Sequence, residues 1–357
     1  MPSSTIDTFL ASSILIILTL SAMIGTSKMM APYLNDLAHR DDAERFQQLA
    51  LSLLLSTGTP TDWGQLGDTK PSSLGFARSD STEPYELDID KVSRLNSENI
   101  NSLSYADLWE ALGVKDVSFQ IEIKPLFEVS INLISSSTAG NQTVYEFEVI
   151  THKSGMPLQT YLSGYAIIED FVDRQTTSTP SNGTGTITFS IPNSISGAAL
   201  LLVFAYAQAN PQIASYGTFA FGHNSSSPSP NGTFTRTSPL NYILNTSLSS
   251  PTAEILKAQA FTPCYNFSLA KKTQASQSAE YYIPRLLDSS PIILVLTGSN
   301  GSTSFTEWSS YPQLPLKIGA DFAESTAGSK IVSMSHIVSI DSVLYEIVTR
   351  WGGVDSV

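Results

Sequence analysis

One cysteine in 357 residues, Cys264, excludes an internal disulfide and any multi-cysteine metal site. It reads as a small buried apolar residue, the other option being a bridge to a second molecule. Charge is scarce as well: 14% of residues are Asp, Glu, Lys or Arg, and the net charge is -13. No Lys/Arg cluster stands against that acidic balance, so phosphate backbones are repelled and nucleic acid is excluded as a partner. The four histidines, His39, His152, His223 and His336, are scattered singly, with His223 in a polar linker. With no HExxH, no paired Cys/His spacing and no Asp-x-Asp-x-Asp-Gly loop, they read as surface or hydrogen-bonded side chains and no metal is expected.

Catalytic patterns are absent in the same way. Neither G-x-S-x-G nor G-x-x-x-x-G-K occurs, and Ser268-Leu-Ala-Lys271 matches Ser-x-x-Lys without its Ser-Asp-Asn and Lys-Thr-Gly companions. Glu169, Asp170 and Asp173 read as the rim of a loop rather than an acid/base pair. The expectation is a protein that is not an enzyme and has no cofactor. Four tryptophans remain: Trp63 and Trp109 are expected to pack a helix-to-head junction, and burial is favoured for Trp308 and Trp351.

Long apolar runs are also lacking, with one exception. Thr8 to Ser27, TFLASSILIILTLSAMIGTS, carries no charge and at about 20 residues is long enough for a helix to cross a bilayer. Its Ser and Thr hydroxyls can bond back to the preceding turn. Residues 1–28 are therefore read as a transmembrane anchor; a cleaved signal peptide and a buried core helix are the alternatives. Lys28 and Arg40 follow the span, which alone would keep the remainder inside. Seven Asn-x-Ser/Thr sequons follow the span as well, at Asn141, Asn182, Asn224, Asn231, Asn245, Asn266 and Asn300. They place the C-terminal bulk outside the cell membrane, with the lipid membrane as a partner.

Pro32 is read as the first turn of a new amphipathic stalk helix over 29–58. Its apolar stripe includes Leu37, Phe46, Leu49 and Leu53, facing the protein's own head, sister subunits or other envelope proteins. Gly58 is the expected cap and Pro60 the stop.

From here on the motifs LLLSTGTPTDWG (Leu53 to Gly64), SSLGFA (Ser72 to Ala77), LDIDKVSRLN (Leu87 to Asn96), YADLWEALGV (Tyr105 to Val114) and VSFQIEI (Val117 to Ile123) follow one another. This succession resembles archaeal pilin-like, membrane-anchored surface proteins over about the first third of the chain. The resemblance implies a cell-surface protein laid out like type IV pilin-like components, with no catalytic residues to carry over. The charged-residue-then-Gly processing site of that family is absent from MPSSTID, and Asp7 is similar to the acidic residue near the start of its mature chains.

After a connecting region with short helices over 59–115, the pattern turns to strands. Phe127–Ile134, Thr143–Thr151, Gly164–Phe171, Thr184–Ile191 and Ala199–Ala207 are separated by turn residues, the spacing of an immunoglobulin-like sandwich over 116–222 with ALLLVFAYA buried on both faces. The Ser/Pro/Asn-rich stretch 223–239 reads as a linker to a second β-rich domain over 223–357, the alternative being a long loop inside one larger β domain. There Pro291–Gly298 is a strand, Ser329–Gly352 a pair of strands about Ile-Asp-Ser, and PTAEILKAQAF a short helix. The fold class expected is a transmembrane and stalk α-helix followed by mainly antiparallel β in immunoglobulin-like sandwich modules. The role expected is structural, adhesive or scaffolding; a filament subunit and a ligand-binding accessory of a surface transport or secretion complex are the other two.

Overall fold

The computed structural model describes residues 3–225, 231–285, 291–322 and 331–353; in its N-terminal helix the side chains of 3–14, 17 and 31–41 lie outside the description. The chain divides into two compact units, Met1–Leu51 and Ser52–Val357.

A single helix, α1 (Ser3–Leu55, 53 residues), supplies all the described residues of the first unit and ends in the second. The expected break at Pro32 is absent. Proline removes one N–H donor, and the backbone stays helical across it, so anchor and stalk are one element rather than 1–28 and 29–58. The hydroxyls behave as expected: Thr19 Oγ1 donates to Leu15 O and Thr26 Oγ1 to Ala22 O, both at 2.9 Å. Among the described residues no helix is long and apolar enough to cross a membrane; the expected span includes 8–14 and 17, whose side chains are outside that set. Within the span Leu15, Ile16, Leu18, Leu20, Met23 and Ile24 are all exposed. Of the expected stripe, Phe46 and Leu53 are buried and Leu49 half-buried, while Leu37 lies outside the described residues.

In the second unit two short helices, α2 (Ile89–Ser93) and α3 (Tyr105–Leu112), precede the strands. The first nine strands are β1 (Val117–Pro125), β2 (Glu128–Ala139), β3 (Gln142–Lys153), β4 (Met156–Pro157), β5 (Thr160–Ile168), β6 (Phe171–Ser178), β7 (Thr184–Pro192), β8 (Gly197–Ala207) and β9 (Asn210–His223). Next come β10 (Thr235–Leu240), β11 (Ile243–Leu248), β12 (Ala253–Phe261), β13 (Asn266–Ser268), β14 (Ala270–Gln274) and β15 (Ser278–Tyr282). The last are β16 (Ile292–Asn300), β17 (Thr303–Tyr311), β18 (Leu316–Gly319), β19 (Val332–Ile340) and β20 (Val343–Gly353).

These strands form five sheets, antiparallel throughout the described pairings. Their orders are β18-β1-β20-β19, β10-β11-β15-β14, β13-β12-β16-β17, β6-β5-β8-β9, and β2-β3-β4 with β7 also on β3. Three of them stack. Alternation along β8 sends Leu201, Val203 and Ala205 into one core with Phe147, Ile187 and Phe189. It sends Leu200, Leu202 and Phe204 into another with Phe261, Ile293 and Val295. The sheet holding β8 is thus the middle layer, as the uninterrupted apolar run requires. Each fully buried Leu, Val or Phe contributes roughly 1.5–3 kcal/mol.

Three expectations about the elements are corrected. Gly164–Phe171 is not one strand: the Ile168–Phe171 pair closes a hairpin, and Glu169 turns the chain at φ 49°. In PTAEILKAQAF the residues from Ala253 on form strand β12, held between β13 and β16 with a bulge between Ile255 and Lys257 that leaves Leu256 exposed. Cross-strand pairing outweighs the helix propensity of its Ala, Leu, Glu and Lys. The stretch 223–239 separates no domains, because β1 lies between β18 and β20 and strands on either side of the expected boundary share one sheet. Non-local pairing of this kind leaves no local mark in the sequence.

Candidate functional site

The helix exit is built from residues that the sequence scatters over 53–101. The last carbonyls of an α-helix have no partner within it; here Leu53 O accepts from Phe76 N at 2.8 Å and Ser56 O from Ala77 N at 2.9 Å. Lys91, fully buried, brings its ammonium to Thr57 O at 2.9 Å and Ala77 O at 2.8 Å, a cation at a helix C-terminus. Burial pushes its pKa below the usual lysine range. The expected cap, Gly58, sits three residues past the helix at φ 71°, and its N–H donates to Ser56 Oγ at 3.1 Å. A Cβ there would meet Ser73 O at 2.6 Å. Gly58→Ala is therefore expected to cost roughly 1–2 kcal/mol in urea unfolding, from the positive φ together with the clash.

Trp63 closes this exit, fully buried, with Nε1 donating to Gly75 O at 3.1 Å. Asp88 caps α2 by accepting from Asp90 N and Lys91 N at 2.9 and 3.0 Å, which aims Lys91 and Arg94 inward. Arg94 is 1% exposed and its guanidinium donates to five carbonyls: Trp63, Leu66, Gly67, Thr69 and Asn101. Asp90, 2% exposed, accepts from Tyr311 Oη at 2.6 Å and Asn241 N at 2.7 Å through Oδ1, tying α2 to β17 and to the β10–β11 turn. Desolvation raises its pKa to about 7. Sequence reasoning quoted these residues only as part of LDIDKVSRLN and missed the burial of all four ionisable side chains, Asp88, Asp90, Lys91 and Arg94; the one available signal was an Asp-x-Asp-Lys-x-x-Arg run with apolar residues on both sides.

An open cleft of about 900 Å³ lies where β1, β2, β9, β17 and β18 meet. Phe127, Tyr216 and Trp308 supply aromatic wall, Glu122, Lys124, Glu128, Lys317 and Glu346 supply charge, and His152 adds an imidazole. The charges are largely paired: Arg350 reaches Glu122 at 3.0 Å, Lys124 reaches Glu346 at 3.7 Å, and His152 Nε2 lies 3.2 Å from Glu128. Burial works against the ionised Glu122, but Arg350 and Lys124 outweigh it and hold the carboxyl below its usual range.

The remaining expected sites are dispersed. Asn141, Asn182, Asn224, Asn231 and Asn266 are exposed, and Asn245 and Asn300 half-buried. His223 is not in a linker but ends β9, fully buried between Tyr145 Oη at 2.8 Å and Pro192 O at 3.1 Å. His336 stacks on Tyr85, and His39 lies outside the described side chains. Cys264 is exposed rather than buried, since Arg174 grips the carbonyls of Pro263 and Cys264 at 2.9 Å and holds their turn at the surface. Trp351 is fully buried, Trp109 donates to Val117 O at 2.8 Å, and Trp308 is half-buried. Asp170 pairs with Lys257 at 3.3 Å and Asp173 with Gln175 at 3.1 Å. Ser268 and Lys271 are both exposed, the latter bonded to Gln274. Among the described residues no group of three or more His, Cys, Asp or Glu could hold a metal ion.

The fold defines a mainly antiparallel β protein with a long N-terminal helix. No family model and no curated protein matches the chain. Among solved structures, a marsupial T cell receptor is similar at 10% identity over 52% of this chain and 96% of that one, with a TM-score of 0.18. Human GIVD cytosolic phospholipase A2 is similar at 10% identity over 68% of this chain and 33% of that one, with a TM-score of 0.15. Scores this low carry no argument about the chain.

Proposed function

We propose that this is a single-pass, outward-facing, glycosylated surface protein with a structural or adhesive role, laid out like archaeal pilin-like envelope proteins. The observation that carries the reading is the exposed apolar surface of α1: Leu15, Ile16, Leu18, Leu20, Met23 and Ile24 are each 54–69% exposed in an uncharged segment. Water makes such a surface costly and a hydrocarbon phase makes it favourable. The head is read as immunoglobulin-like, supported by β2-β3-β7 facing β6-β5-β8-β9 across one core, the strand neighbours of a Greek-key sandwich. The cleft with Trp308 favours a second reading, an accessory protein that holds a ligand for a surface complex.

Fractionation with external protease on intact cells tests the anchor. The chain is expected in washed membranes, with the second unit removed by protease added outside. Recovery in sheared extracellular filaments would replace the anchor with the filament-subunit role, and a soluble, protease-protected chain would end both.

A further inference from the structure

We infer that the fold sorts the sequons: Asn141, Asn182 and Asn266 accept an N-linked saccharide, and Asn231 does not. This rests on the reading of an outward-facing, glycosylated head and names which of its amides are chemically available.

Asn231 is exposed, so accessibility does not separate it from the others. Its carboxamide is occupied: Nδ2 donates to Trp308 O at 2.8 Å, and Trp308 N donates to Oδ1 at 2.7 Å. One planar amide meets both backbone groups of one residue. That pairing fills the open side of β17, the last strand in the order β13-β12-β16-β17. To reach both groups side by side, the amide must use the Nδ2 hydrogen on the same side as Oδ1.

Glycosyl transfer to such an amide forms a bond from the sugar's anomeric carbon to Nδ2. The bond from that carbon to the phosphate oxygen of a glycosyl phosphate donor breaks, and Nδ2 loses one proton. The product is a secondary amide, and in its trans form the new carbon lies on the same side as Oδ1, as Cα does in a peptide bond. That is the place of the hydrogen now on Trp308 O. Glycan and edge pairing at Asn231 exclude one another.

The three acceptors lack this conflict. Asn141 follows Gly140 at the tip of the β2–β3 hairpin and Asn266 opens β13; among the described residues neither side chain makes a hydrogen bond. Asn182 accepts from Thr184 N at 3.0 Å through Oδ1, which leaves its Nδ2 available.

Glycopeptide occupancy by mass spectrometry on the chain purified from its native host tests the inference, together with a variant carrying a second copy of residues 228–235 as a C-terminal tail. The expected result is glycan at Asn141, Asn182 and Asn266, a bare Asn231, and a modified tail. Glycan at Asn231 in the folded chain, or a bare site among the three, overturns the sorting and leaves the surface reading standing. A bare tail also overturns it, since local sequence and not the fold then excludes Asn231. No glycan at any sequon ends both.

Discussion

Arg94→Met is expected to lower the stability of the second unit by about 3–5 kcal/mol, the cost of breaking a buried, hydrogen-bonded charge site. Methionine keeps most of the stem volume and removes every donor. The carbonyls of Trp63, Leu66, Gly67, Thr69 and Asn101 then lose their shared partner, and each orphaned buried acceptor costs about 1–3 kcal/mol. Arg94→Lys is expected to fall between the two, because a rotatable ammonium has three donors and no planar fork. Urea midpoints at constant slope provide the measurement. Arg78→Met is the control: Arg78 pairs with Asp80, Glu86 and Asp341 at a partly exposed site, where such pairs are worth about 1 kcal/mol or less. Equal midpoints for the two variants would show that the loop over 63–69 stands without its arginine.

The second large effect is on pH dependence. Desolvation first, then the nearby Asp88 and Asp341, raises the Asp90 carboxyl to about 7, against the donors Tyr311 Oη and Asn241 N; the Arg94 guanidinium lies within its field. The folded state therefore holds this proton more tightly than the unfolded chain. The stabilisation is complete below the unfolded carboxylate range near pH 4 and is lost as pH rises through about 7. Its size between pH 8 and pH 5 is roughly 2–3 kcal/mol by linkage. Asp341 is raised too, chiefly by burial, and adds to the slope with the same sign. Asp90→Asn keeps an oxygen acceptor for Tyr311 and Asn241 and removes the proton. Its stability should be flatter from pH 5 to 8 and should exceed the wild type at pH 8. The repulsion within a chain of net charge -13 is shared by both proteins to within one charge. Parallel pH profiles for the two would show that Asp90 is ionised in the folded state.

Lys91, Asp90 and Arg94 mark where sequence reasoning stopped. Charged residues in a short polar-looking helix are normally read as solvated, and nothing at positions 90–94 announces that five carbonyls from 63–69 and 101 converge there. Cys264 failed in the opposite direction: cysteine is usually buried, but the turn that carries it is held outward by Arg174, 90 positions away. Trp63 was legible because a lone tryptophan after a helix stop has few roles other than packing.

By itself the sequence determined the helical character of the N-terminal region, the places of β1, β2, β3, β7, β8 and β16 and the burial of ALLLVFAYA on both faces, because these rest on periodicity and side-chain type within a few residues. The β19–β20 hairpin about Asp341 and Ser342 belongs to the same class, since its turn chemistry is local. Only the tertiary structure decided that β1 pairs with β18 and β20, that β12 is a strand, that the Asn231 amide is spent on Trp308, and that Lys91 and Arg94 are buried beside Trp63. Each of those outcomes is a hydrogen bond or an ion placed between segments tens to hundreds of residues apart. The free energy that selects them is gained only after the chain has closed those loops, so no local stretch of sequence contains it.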